Sequence, residues 1–123
     1  MLLSYMAKHD ADLDLIFQAL SDPTRRAMLA RIGLSALPVS ELARPTGLAL
    51  PTILRHVSVL EAAQLITTQK QGRTRLCTAR PDTLVATVGW LADQRAQWAA
   101  RTDQPEVLMA QLQKKENESA DQP

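Results

Sequence analysis

The sequence predicts a mainly α-helical fold that carries one small β-hairpin, in the element order α-α-α-α-β-β-α. Three observations lead to this prediction: apolar residues recur at helical spacing in several segments, aromatic residues make up only 3% of the chain, and one stretch alternates like paired strands around a glycine. A core of Leu, Ala and Val with few aromatics suits packed helices better than a β-sandwich. With 123 residues, a single domain can bury its own core.

Apolar stripes and a capping signal predict the first two helices. Over residues 10–20 the apolar side chains recur three and four positions apart, which predicts an amphipathic helix; they are Leu13, Ile16, Phe17 and Leu20. In the stretch SDPTRRAMLARI that follows, Asp22 stands as an N-cap and Pro23 occupies the first turn, where its missing N–H costs nothing. Gly33 is expected near the end of this second helix.

The middle of the chain has the order of a helix-turn-helix. The stretch VSELARPTGL predicts a short helix that Pro45 and Gly47 bring to an end. The next segment, LPTILRHVSVLEAAQL, is again helical and places Ile53, Val57 and Leu60 on one buried side. A short helix, a glycine-containing turn and a longer helix together form that motif.

A β-hairpin and a long helix follow. In LITTQKQGRTRLCTA, β-branched residues alternate on both sides of Gly72, which indicates two antiparallel strands joined by a tight turn. Pro81 and Asp82 then open the last long helix, and Pro105 interrupts or restarts it. A helix-turn-helix followed directly by a basic hairpin is a winged helix-turn-helix.

Domain boundaries and location follow from composition. We expect an N-terminal tail over residues 1–9, one folded domain over residues 10–113 and a disordered polar tail over residues 114–123. The single cysteine, Cys77, cannot close an intramolecular disulfide, which fits a reducing compartment. The N-terminal apolar run is too short for a signal peptide, and no stretch approaches the roughly 18 apolar residues of a membrane span. These features together predict a cytoplasmic protein.

The net charge of +1 hides an uneven distribution. Residues 23–80 carry a net charge of +7, whereas the segments before and after them each carry −3. Basic charge concentrated in one part of a chain is typical of a nucleic-acid-binding face. Charge alone leaves open the alternative of a solvated surface without a polyanionic partner.

Residues 15–101 resemble the ArsR/SmtB family of bacterial winged-helix repressors. The stretches ALSDPTRRAMLARI, VSELARPTGLALPTILRHVSVLEAAQLI and QKQGRTRL carry the resemblance, and WLADQRAQWAAR is similar to the last helix of a subgroup without metal sites. The resemblance implies a homodimeric repressor that binds double-stranded DNA at inverted-repeat operators. It also implies that the first and last helices form the dimer interface. Apolar stripes on those helices supply the interface candidates Leu13, Ile16, Phe17, Leu84, Val88, Leu91 and Trp98.

On the long helix, four candidate DNA-binding residues face away from the buried side: Pro51, Thr52, Arg55 and Ser58. A fifth candidate, Leu54, lies on the flank beside Arg55 and Ser58. Arg55 can contact a guanine edge or a phosphate, while Thr52 and the amides at the helix N-terminus suit phosphates. His56 projects closer to the buried side, and the sequence fits a structural hydrogen bond and a DNA contact equally well. Leu54 is unexpected there, since the resemblance implies a small hydroxyl residue at that position in many relatives.

The hairpin supplies the remaining DNA-binding candidates. Arg73 at its tip can reach a minor groove, with Lys70 and Arg75 on the neighbouring DNA backbone. For each arginine the alternative is an ordinary surface charge. The rival to a repressor is a winged-helix protein-interaction module that has lost DNA binding, and Leu50 and Leu54 favour that rival.

We expect no metal and no cofactor. Metal sites of the resembled family use cysteines around the short helix or acidic and histidine residues on the last helix. Here Pro38 and Ser40 stand where the resemblance places thiols, and no histidine follows residue 56. The remaining candidate effectors are a small apolar ligand and a partner protein. The protein can also act as a simple autorepressor without an effector. The sequence contains neither a glycine-rich phosphate-binding loop nor the signature of a catalytic nucleophile, so we expect that the protein is not an enzyme.

Overall fold

The structure, a computed structural model, describes residues 12–101 and 105–121, so the predicted tail over residues 1–9 lies outside the described residues. The first helix, α1, is described over residues 12–20. The remaining elements are α2 (Pro23–Leu34), β1 (Leu37–Pro38), α3 (Val39–Ala43), a 3-10 turn (Arg44–Thr46), α4 (Leu50–Ala62), β2 (Ile66–Gln71), β3 (Thr74–Ala79), α5 (Pro81–Arg101) and α6 (Pro105–Asp121).

The predicted winged helix-turn-helix is confirmed. Helices α3 and α4 are joined through the 3-10 turn and Gly47, and the hairpin β2–β3 follows α4 directly. The structure adds a third strand, because β1 pairs antiparallel with β3 and gives the sheet order β1-β3-β2. A strand of two residues offers no alternation that a sequence pattern can detect.

The core lies between the helices α1 to α4 and the inner face of the sheet. Its fully buried side chains come from every one of these layers and include Met28, Ile32, Leu42, Ile53, Leu60, Leu65, Ile66 and Cys77. Burying a Leu or Ile side chain contributes about 1.5–3 kcal/mol, so this cluster is the main source of stability. The predicted inner row of α4, Ile53, Val57 and Leu60, is at most 4% exposed.

Helix α2 begins as the sequence predicts. The Asp22 carboxylate accepts a hydrogen bond from the backbone N–H of Arg25 at 3.0 Å, and Pro23 occupies the first turn. That hydrogen bond favours the ionised carboxylate and holds the pKa of Asp22 below its usual value. The start of α2 is therefore fixed by a side chain, which matters because Arg25 lies in this turn.

A left-handed residue ends α4 and directs the chain into the sheet. Gln64 has φ +60°, its N–H donates to the Glu61 carbonyl at 2.9 Å, and the N–H of Leu65 donates to the Leu60 carbonyl at 3.1 Å. These two bonds form a Schellman motif, which normally has glycine at the left-handed position.

The described residues divide into two compact units between Thr87 and Val88. In the second unit, residues 114–121 continue α6, within the segment 114–123 that the sequence predicts to be a disordered tail. The stretch QLQKKENE consists mostly of strong helix formers, which favour this helix. An exposed ion pair between Arg95 and Glu116, at 3.1 Å, adds at most about 1 kcal/mol.

Candidate nucleic-acid interface

The outer face of α4 carries all the predicted contact residues of that helix except His56. Its first turn has no side-chain cap, because the N-cap residue is Ala49 and Pro51 follows in the first turn. The side chains opposite the buried row are exposed to solvent: Pro51, Thr52, Leu54, Arg55 and Ser58. This face therefore combines two hydroxyl groups, a guanidinium and an apolar side chain.

Arg55 is the only cation on α4. Within the described part of the chain, it makes no hydrogen bond and no ion pair, and its side chain is exposed. A guanidinium offers five N–H donors in a planar fork, which matches the paired acceptors of a guanine edge or two phosphate oxygens. All of these donors are available to a ligand.

His56 is half-buried and is held by an arginine. Its Nδ1 lies 3.3 Å from Nη1 of Arg25, on helix α2. A guanidinium can only donate, so this geometry makes Nδ1 the acceptor and assigns the ring proton to Nε2. Of the two roles that the sequence left open for His56, the structure shows the structural hydrogen bond; the prediction of a DNA contact stays untested.

Arg25 is a residue that sequence reasoning missed. Its Nε donates to the Ala19 carbonyl at 2.8 Å and its Nη2 to the Gln18 carbonyl at 2.9 Å, so it caps the end of α1 while holding His56. The signal in the sequence was the N-cap Asp22, which indicates the start of a helix. It does not show which distant element the side chain of Arg25 reaches.

The hairpin β2–β3 places its basic residues next to one another. Gly72 and Arg73 form the two-residue loop, and Gly72 has φ +61°, which suits the first loop position. Lys70 and Arg75 are directly opposite in the strand register, and both are exposed. Like charges placed opposite each other on a sheet repel, and an anion between them would relieve that repulsion.

Arg75 is also connected to α4. Its Nη1 donates to the Thr68 hydroxyl at 2.6 Å, and that hydroxyl donates to the Glu61 carboxylate. The same carboxylate accepts the Thr68 backbone N–H at 3.0 Å. Thr68 therefore joins the hairpin to the end of α4. We call this set of hydrogen bonds among Arg75, Thr68 and Glu61 the Thr68 clamp; the sequence did not predict it.

The predicted dimer residues differ in their burial. Ile16 is only 5% exposed and packs in the core, so its helical position serves the single chain and the structure corrects its assignment to an interface. Leu13 is half-buried. The side chains of the other five are exposed to solvent: Phe17, Leu84, Val88, Leu91 and Trp98.

Potential metal ligands do not cluster in the part of the chain that the structure describes, where no three His, Cys, Asp or Glu side chains come together. Pro38 lies in β1 and Ser40 is exposed on α3.

The pKa of the Cys77 thiol is raised mainly by burial and secondly by the negative charge of Glu61.

Across residues 12–101 and 105–121, no helix has the length and hydropathy to cross a lipid bilayer.

An open groove of about 470 Å³ lies beside the helix-turn-helix. Helices α2 and α3 and the 3-10 turn line it, together with Leu48. Arg31 lies at its edge and donates to the Glu41 carbonyl at 3.0 Å and the Leu42 carbonyl at 3.4 Å.

Comparison with known proteins places the chain among transcriptional regulators. Residues 20–69 match the model of a helix-turn-helix domain family. The HTH-type transcriptional regulator Rv2034 of Mycobacterium tuberculosis is 37% identical over 73 residues, which cover 59% of this chain and 68% of that protein. The transcriptional repressor SdpR of Bacillus subtilis is 25% identical over 76 residues, 62% of this chain and 84% of that protein. A crystal structure of an ArsR family transcriptional regulator has a TM-score of 0.72 and 45% identity, covering 76% of this chain and 96% of that one.

Proposed function

This chain belongs to the ArsR family of winged helix-turn-helix transcriptional regulators, and from that premise we propose that it represses transcription as a homodimer on an inverted-repeat operator, without a metal signal. Its family makes it a DNA-binding regulator and not an enzyme. The observation that carries the proposal is the exposed outer face of α4, where the guanidinium of Arg55 makes no hydrogen bond and no ion pair with the described residues.

We assign α4 to the major groove. Arg55 donates to a guanine edge there, and Thr52 and Ser58 hydrogen-bond to phosphates on either side. The N-terminus of α4 has no side-chain cap, and its helix dipole favours the negative charge of the same phosphates. His56 is held by Arg25 and leaves its Nε2–H for a further phosphate.

The hairpin is assigned to the flanking DNA. Arg73, at its tip, enters the minor groove, and the opposed pair Lys70 and Arg75 contacts the phosphates beside it. This division gives the two elements different tasks: α4 reads the sequence, and the hairpin contributes affinity that depends on salt.

Dimerisation would bring two such faces to the two half-sites of the operator. The exposed apolar side chains of α5, among them Val88, Leu91 and Trp98, support this part of the proposal. An inverted repeat follows from a two-fold axis between protomers.

The signal that releases the repressor is proposed to be an effector other than a metal ion. Pro38 and Ser40 occupy the positions where the family resemblance places thiols, and neither side chain is a zinc ligand. A small apolar ligand would find room in the groove between α2 and α3, whose volume lies in the range of small-molecule sites. A partner protein or plain autorepression are the other two modes.

A gel-shift with the protein's own promoter region tests the proposal. We expect a discrete complex that weakens steeply with salt and that zinc or arsenite leaves unchanged. Release by stoichiometric metal would refute metal independence. Failure to bind the promoter or other inverted repeats would instead favour a protein-interaction module. The exposure of Leu50 and Leu54 is the observation that supports this alternative.

A further inference from the structure

Leu50 and Leu54 form an apolar strip on the surface that we assign to DNA. The two residues are four positions apart on α4, so their side chains are neighbours on the helix surface. They are 53% and 42% exposed, while the core row of the same helix is at most 4% exposed. The fold therefore does not need these two leucines for its core, and their exposure calls for another explanation.

We propose that Leu54, with Leu50 beside it, reads the methyl group of a thymine in the major groove of the operator. This inference rests on the proposed DNA-binding function and adds a base preference to it. Leu54 is the residue in contact with the methyl group. Leu50, nearer to the N-terminus of the helix, extends the apolar surface on which that methyl group lies.

The charges around the strip favour DNA as its occupant over an apolar protein surface. Arg55 follows Leu54 directly, and the only acidic residue of α4 is Glu61, at its far end. Glu61 is engaged with Thr68 of the hairpin. The basic residues of the hairpin, Lys70, Arg73 and Arg75, are also exposed, and a polyanion is the partner that suits such charges.

The chemistry of the groove selects the base. Base edges in the major groove present hydrogen-bond donors and acceptors, and the thymine methyl group is their one exposed apolar feature. A leucine placed against an acceptor or a donor would remove water without replacing its hydrogen bond, which is unfavourable. Placed against the methyl group, it buries apolar surface on both sides. Leu54 therefore favours thymine at one position of each half-site.

The experiment replaces each thymine of the operator in turn with uracil, which differs only by the methyl group. Affinity is measured for the parent and for Leu54→Ser. At one thymine per half-site, uracil should weaken the parent about fourfold, the effect of removing one buried methyl group. In Leu54→Ser the same replacement should have no effect. Leu54→Met keeps an apolar contact and should retain most of the sensitivity to uracil.

Leu34→Ser is the matched control. Leu34 is 90% exposed at the end of α2, so this variant makes the same chemical change outside the proposed interface and should keep the full sensitivity to uracil. If operator binding persists but no thymine shows the difference between parent and Leu54→Ser, the inference is wrong and the proposed function stands. If the parent binds no promoter DNA at all, both fail together. Equal melting temperatures of the variants would exclude unfolding as the cause of a loss.

Discussion

Arg25 joins three elements of the fold through one residue. Its backbone N–H meets the N-cap of α2, its guanidinium caps the last carbonyls of α1, and Nη1 reaches His56 on α4. A charged donor makes stronger hydrogen bonds than a neutral one. Arg25 thus links α4 to α1 and α2, although it does not belong to the outer face.

Replacing Arg25 should therefore weaken both the fold and operator binding. We expect Arg25→Met to lower the free energy of unfolding by about 1.5–3 kcal/mol, as lost charged hydrogen bonds do. Arg26→Met is the matched control, because Arg26 makes a single exposed bond to the Leu20 carbonyl, and its loss should cost less than about 1 kcal/mol. Chemical denaturation of both variants, and a double-mutant cycle with His56→Phe, measure the difference. If the changes in unfolding free energy caused by the two substitutions are additive, the two side chains are not coupled.

Gln64 has the left-handed conformation that glycine adopts without steric cost. Gln64→Gly should raise the free energy of unfolding by about 0.5–1 kcal/mol, the relief of that strain less the extra backbone entropy of glycine. Gln64→Ala has the same Cβ as glutamine and should not stabilise. Thermal melts of the two variants distinguish backbone relief from loss of the exposed side chain, and stabilisation by alanine alone would contradict the explanation.

Cys77 makes stability depend on pH on the alkaline side. Burial raises the pKa of its thiol above the ordinary 9.0, so the folded chain holds this proton more tightly than the unfolded chain. The stabilisation is complete below pH 9.0 and is lost as pH rises through the raised folded value. Denaturation at pH 8 and pH 10 should show a larger loss for the parent than for Cys77→Ala. Equal losses would show that another group is responsible.

The hairpin acts as one arm because Thr68 clamps it to α4. Thr68→Val removes the hydroxyl without changing charge or shape greatly, so we expect weaker operator binding with an unchanged salt dependence. Lys70→Ala removes one phosphate contact and should reduce the slope of log affinity against log salt by roughly one unit. Titrations at several salt concentrations measure both. A reduced slope in Thr68→Val would mean that Arg75 loses its phosphate when the clamp opens.

Elements with a strong local pattern were predictable, and elements set by distant partners were not. The stripe of Ile53, Val57 and Leu60 and the turn at Gly72 are local signals, and both are confirmed. Strand β1 exists only because β3 accepts it as a neighbour, and the bond between Arg25 and His56 joins positions 31 residues apart. A periodic pattern also could not tell that Ile16 serves the core of its own chain, since core and interface stripes look alike.

The uneven charge of the whole chain agrees with its proposed task. The segment with a net charge of +7 contains the helix-turn-helix and the hairpin, while the two negative segments flank it. Acidic ends next to a basic centre discourage wrong orientations on a polyanion. The number of protomers then determines how many half-sites are read.

Dimerisation is the last prediction. Val88, Leu91 and Trp98 recur at helical spacing on α5, and they are 63%, 49% and 64% exposed. We expect a dimer in sedimentation experiments at micromolar concentration, because burying such side chains stabilises an interface.

A buried charge should separate the protomers. Leu91→Asp would place an unpaired carboxylate in the interface, which is costly, and the protein should sediment as a folded monomer. Leu34→Asp puts the same charge on a residue that is 90% exposed on α2 and should leave the dimer intact. The monomer should also lose most of its operator affinity, because two linked half-site contacts reinforce each other and a single one does not. A parent protein that sediments as a monomer at these concentrations would contradict this assignment of α5.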